Sequence, residues 1–154
     1  MLPEQFKDGN EENTLIYHYV EELVGNYKDY ATNNIIDEEI TLPETPYFLR
    51  IGYEGETTQK KLVNLFKVSE GYAAKLLRKF EDKNLIERFE DPSNHRQKIV
   101  RLTPKGMKKA ESITALIENW EIETSSNLTP KELGLLKKLL FKLVIKEIKW
   151  ILQY

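Results

Sequence analysis

Residues 57–106 confine this chain to few architectures. Two stretches of helical periodicity, TTQKKLVNLF and SEGYAAKLLRKF, are separated by only Lys67 and Val68. Thr57 or Thr58 is the natural N-cap of the first and Ser69 of the second, since a side-chain oxygen there satisfies an orphaned backbone N–H. Leu62, Leu65 and Phe66 predict a buried stripe on the first helix. In the second, Ala73, Leu76, Leu77 and Phe80 recur at the spacing of one helix face and predict core. Gly71, Lys75, Arg78 and Lys79 fall on the opposite face. Two short helices joined by a tight turn, the second basic outside, describe a helix-turn-helix.

An alternating pattern follows directly. Residues 85–90 read as a strand, 91–97 as a loop and 98–103 as a returning strand, with Asp91-Pro92 and Ser93-Asn94 supplying the turn chemistry. Val100 and Leu102 share one face of the returning strand, Arg101 and Thr103 the other. A hairpin directly after a helix-turn-helix makes a winged helix, with Arg96 at the wing tip. A recognition helix fits the ~12 Å major groove of DNA, and a protruding arginine suits the narrower minor groove.

Charge is distributed to match. Residues 1–56 hold 3 Lys/Arg against 13 Asp/Glu, whereas residues 57–108 hold 13 against 6 and residues 109–154 hold 7 against 6. A basic middle suits a polyanion, which the whole-chain net charge of −2 conceals. The acids of the front region read as surface.

The flanks are helical. Residues 1–13 read as a frayed start. Residues 14–44 hold an amphipathic helix from Thr14 to about Tyr30 and an acidic connector. Residues 45–103 form the winged helix-turn-helix, opened by a short helix at Pro46. Residues 104–154 give two long helices, one started by Thr103-Pro104 and one by the capping box Thr129 to Glu132. The first and last helices carry more apolar stripe than so small a domain can bury. Leu15, Ile16, Leu23, Leu140, Val144, Ile148 and Ile151 are therefore candidate dimerisation residues. The expected fold is mainly α with a small β-hairpin wing, flanked by N- and C-terminal dimerisation helices.

Element order and the segment from Thr57 to Gly106 resemble the multiple-antibiotic-resistance regulator (MarR) family, over roughly residues 14–152. Asp91 and Arg96 stand where that family's wing carries its characteristic acid and arginine. Ser69 matches the serine opening its recognition helix, and Lys75 a basic residue facing the groove. Asn94 replaces a second wing acid and His95 a frequent second arginine. Gly71 and Ala74 occupy positions that often hold hydroxyl side chains.

The resemblance implies a homodimeric, ligand-responsive transcription regulator on a pseudo-palindromic double-stranded operator, with a phenolic or aromatic-acid effector. Candidate DNA contacts are Thr58, Gln59 and Lys60 at the start of the first helix. On the recognition helix they are Ser69, Glu70, Gly71, Tyr72, Lys75, Arg78 and Lys79, with Lys79 read as a phosphate contact. On the wing they are His95, Arg96 and Lys98. Tyr72 either stacks on DNA or packs on a neighbouring helix.

Other classes find little support. His18 and His95, the only histidines, lie on different elements, and there is no cysteine, so no metal site is expected. No phosphate loop, nucleophile–histidine pair or carboxylate pair suggests an enzyme or a cofactor. No apolar run approaches the ~20 residues of a membrane helix, and a cytoplasmic protein is expected. The rival reading is a winged helix used for protein interaction without DNA. Such modules tend to lose the wing arginine and the outer-face lysines, and this chain keeps both.

Overall fold

The structure, a computed structural model, describes residues 6–34 and 39–151, with side chains through residue 145. Ile148 and Ile151 lie on the last helix, but their side chains fall outside the described residues. The chain divides into two compact units, 1–116 and 117–154.

In the first unit, helix α1 spans Ile16–Asn34. A 3-10 turn at Leu42–Glu44 leads into α2, Thr45–Glu54, with Pro46 in its first turn. A two-residue strand β1, Thr57–Thr58, precedes α3, Gln59–Phe66, and α4, Glu70–Asp82. Strands β2, Ile86–Asp91, and β3, Asn94–Leu102, form the hairpin. Helix α5, Pro104–Thr124, crosses the boundary between the units.

Caps occur where the residue types demand them. Thr58 Oγ1 accepts from the Lys61 N–H at 3.2 Å, and Ser69 Oγ from the Tyr72 N–H at 3.1 Å. Lys67, in the left-handed conformation with φ 51°, makes the turn between α3 and α4. Thr103 Oγ1 accepts from the Gly106 N–H at 3.0 Å and donates to the Asn84 carbonyl at 2.7 Å. Thr103 is consequently buried rather than sharing an outer face with Arg101.

The core gathers Phe48, Ile51, Leu62, Leu76, Leu77, Phe80, Leu85, Ile86, Val100 and Leu102. The four α4 residues expected inside, Ala73, Leu76, Leu77 and Phe80, are all buried. Leu65 is a correction, being 49% exposed. Leu62 and Phe66, one helical turn apart, face inward, and Leu65 lies to the side of that line.

Two further expectations concern the chain start and the wing loop. Residues 7–9 and 11–13, in the segment expected to be frayed, are exposed, with local contacts at Phe6 and Glu11. The Phe6 ring meets Tyr19 at 5.4 Å, and the Tyr19 hydroxyl donates to the Glu11 carbonyl at 3.0 Å. The wing loop shrinks from seven residues to the pair Pro92-Ser93. Asp91 closes this turn by accepting from the Ser93 N–H at 2.9 Å and the Ser93 hydroxyl at 2.6 Å.

The sheet is antiparallel in the order β1-β3-β2. Thr57 pairs with Val100 and Thr58 with Ile99, an edge strand that residue pattern alone did not suggest. Asp91 pairs with Asn94 but Glu90 pairs with Lys98, so His95, Arg96 and Gln97 have no counterparts on β2. Such surplus residues bulge a strand and re-aim its side chains.

In the second unit, α6 covers Pro130–Ile151. Its capping box is complete, with Glu132 accepting from the Thr129 N–H at 2.7 Å and Thr129 Oγ1 from the Glu132 N–H at 3.3 Å. Lys137 Nζ donates to Glu121 at 2.5 Å. Leu135, Leu136, Leu139, Leu140, Phe141, Leu143 and Val144 are all exposed.

Candidate nucleic-acid interface

Helix α4 buries one face and leaves Gly71, Lys75 and Arg78 exposed on the other. Alongside it, the wing carries His95, Arg96 and Lys98, again exposed. Lys60 stands exposed in the first turn of α3. Lys60, Arg96 and Lys98 line a single groove of about 520 Å³, together with Gln59, Glu70 and Gln97. Arg88 lines it too, so elements far apart in sequence converge four basic side chains on one concave surface.

Which cations are neutralised matters more than how many there are. Arg88 is bound to Glu81, and its guanidinium holds that carboxyl below the ordinary glutamate range. Arg101 pairs with Glu87 at 2.5 Å and Glu56 at 3.5 Å and covers the Phe89 ring at 4.7 Å. Lys105 pairs with Glu39 at 2.7 Å and Lys109 with the same residue at 3.3 Å. By contrast, Lys60, Lys75 and Arg96 make no ion pair with a described residue, and Arg78 and Lys98 make no close one, although both lie near enough to Glu81 to help lower its carboxyl pKa. An unpaired cation reaches a phosphate without first breaking an internal contact, which is the form a polyanion-binding face takes.

The remaining expected residues divide. Ser69 is exposed, although its hydroxyl is engaged in capping. Gln59 Nε2 donates to Glu70 at 3.0 Å, tying the starts of α3 and α4 together. His95 stands 3.5 Å from Glu90. Thr58 is buried by β1 pairing and by its capping role, which takes its side chain off the surface.

Tyr72 packs as well as being exposed: its ring lies 5.7 Å from Tyr47, and burial, with Tyr47 and Glu44 nearby, pushes its phenol pKa up. Lys79 departs furthest from the expected phosphate contact. Its ammonium donates to both carboxylate oxygens of Glu44, at 2.7 and 2.5 Å. The acidic front is therefore not merely surface, since Glu39 and Glu44 hold lysines of α4 and α5. A Thr-x-x-Glu capping signature at Thr41 to Glu44 was the one sequence signal available, and it announces the cap but not the lysine.

Residues 40–98 match the MarR family. A curated relative, the HTH-type transcriptional regulator BilQ of Clostridium symbiosum (strain WAL-14163), is 30% identical over 117 residues, which is 76% of this chain and 78% of the relative. The chain belongs to the MarR family. It is a transcription regulator of this DNA-binding class.

Solved structures share the fold. A crystal structure of MarR superposes with a TM-score of 0.80 at 23% identity, over 92% of this chain and 96% of that one. A mutant MarR from E. coli, complexed with operator DNA, gives a TM-score of 0.65 at 22% identity, over 89% and 99%. BpsR of Bordetella bronchiseptica, whose DNA binding is regulated by 6-hydroxynicotinic acid, gives 0.68 at 19% identity, over 84% and 98%. The MarR-family winged helix is thus present here with its small three-stranded sheet.

Proposed function

We propose that this MarR-family protein is a homodimeric, ligand-responsive repressor that reads a pseudo-palindromic operator. Helix α4 enters the major groove, led by Lys75 and Arg78, while Arg96 of the wing enters the adjacent minor groove. Lys60 and Lys98 hold the phosphates between them. The observation that carries this reading is the groove where Lys60, Arg96 and Lys98 converge without close internal ion pairs. The operator complex of a MarR relative supports it.

Residues 45–103 serve as the DNA-binding domain, with 14–44 and 104–154 as dimerisation helices. The apolar residues Leu15, Ile16 and Leu23 of the N-terminal region, and Leu140 and Val144 of α6, are exposed in the single chain, which supports a second copy covering them. An aromatic or phenolic effector follows from the resemblance, and the regulation of BpsR by 6-hydroxynicotinic acid supports that chemistry. No helix of the described residues is long and apolar enough to cross a membrane, in keeping with action in the cytoplasm.

The test is selection of bound duplexes from a random-sequence library, then binding of the selected duplex at two salt concentrations. Affinity should fall with a slope near −0.9 per neutralised phosphate, and footprinting should show two half-sites about one helical turn apart. Failure to select any sequence would favour a protein-interaction module.

A further inference from the structure

We propose that the Glu44–Lys79 ion pair is a latch fixing the orientation of α4, which makes Glu44 a positioning residue for operator recognition. This rests on the reading of α4 as the recognition helix. Glu44 sits in the 3-10 turn before α2, and Lys79 in the last turn of α4. Both carboxylate oxygens receive the ammonium, and one also accepts from the Thr41 N–H at 2.9 Å. Glu44 is held by its own cap, and Lys79 by its helix. With side chains 15% and 31% exposed, the pair is better shielded from solvent than an ordinary surface contact.

A second tie holds the other end of the helix. Tyr72 lies two turns before Lys79, on the same side of α4, and its ring meets Tyr47, which in turn packs at 4.3 Å on Phe66. One short segment, 41–47, thus grips α4 by an aromatic contact near its start and by an ion pair near its end. Base recognition tolerates displacements of only about half an ångström, so a helix bearing Lys75 and Arg78 gains accuracy from being held at two points.

Charge counting and positioning predict opposite results. Glu44→Gln removes a negative charge and frees the Lys79 ammonium, so electrostatics alone would tighten DNA binding everywhere. The latch predicts weaker binding to the selected operator with unchanged or tighter binding to a random duplex, lowering the preference about tenfold. Lys79→Met should lower the preference similarly. The double variant should be no worse than either single one, the mark of two residues acting as a pair. Lys79→Arg, which keeps a cation in reach of Glu44, should retain the preference.

Fluorescence anisotropy on both duplexes, at matched helicity and melting temperature, reads these ratios. If Glu44→Gln does not fold, Lys79→Met and Lys79→Arg decide. Uniform weakening on both duplexes by Lys79→Met would make Lys79 a phosphate contact and overturn the latch. Tighter or unchanged operator binding by Glu44→Gln would overturn it as well. A wild-type protein with no operator preference would instead overturn the proposed function, and the latch with it.

Discussion

The backbone of Gly106 runs against the carbonyl of Leu85 so closely that a methyl on its α-carbon would stand 1.9 Å from that oxygen. The approach is held by Thr103, whose N–H donates to the same Leu85 carbonyl at 3.0 Å. Because the obstacle is backbone rather than a flexible side chain, Gly106→Ala should destabilise the fold by about 3 kcal/mol. Denaturant unfolding checks this, and an unchanged midpoint would refute the close approach.

Arg96 lies in the surplus stretch of β3 and is exposed. Arg96→Ala should cost about 1–3 kcal/mol of operator affinity and reduce preference for A·T-rich flanks. Arg96→Lys keeps the charge but loses the planar head, so flank preference should fall more than affinity. Binding of both flanks as tightly as wild type by Arg96→Ala would remove the wing from the DNA interface.

Lys75 and Arg78 extend from the outer face of α4 without close internal ion pairs. Each change to Ala should weaken binding, and any that touches phosphate should lower the salt slope by about 0.9. A residue reading base edges should instead relax sequence preference at one position with the slope preserved. A variant changing neither quantity would place its side chain outside the interface.

Leu140 and Val144 are exposed on α6, one turn apart. Sedimentation at micromolar concentration should give about twice the 18.1 kDa of one chain. Leu140→Glu should shift the protein toward a single-chain mass. A wild-type monomer would sink the dimer and, with it, the paired half-sites.

Burial raises the Glu44 carboxyl pKa, but hydrogen bonds from Lys79 and Thr41 outweigh it, and the net shift is downward. A carboxyl depressed in the folded state adds stability above its unfolded pKa, and that stability is lost as pH falls through the folded value. Wild type should therefore lose stability on acidification below about pH 4, more steeply than Glu44→Gln. Parallel melting curves of the two proteins between neutral and acid pH make the comparison; identical acid limbs would contradict it.

Much of this protein was legible in its sequence because the relevant physics is local. Thr58, Ser69, Thr103 and Thr129 announce helix starts since each cap is satisfied within three residues. Ala73, Leu76, Leu77 and Phe80 announce an inner face because helical geometry alone aligns them. Periodicity and turn chemistry together led from there to the winged helix. Tertiary structure decided what depends on partners distant along the chain. β1 exists only because β3 offers Thr57 and Thr58 an unpaired edge. The bulge at Arg96 depends on the register between two strands, which residue pattern alone leaves open. Whether a lysine is free for phosphate or already held is likewise a matter of neighbours: Lys75 and Lys79 look alike in sequence. Glu44, thirty-five residues away from Lys79, separates them, because only the folded chain brings that carboxylate to one ammonium and not the other.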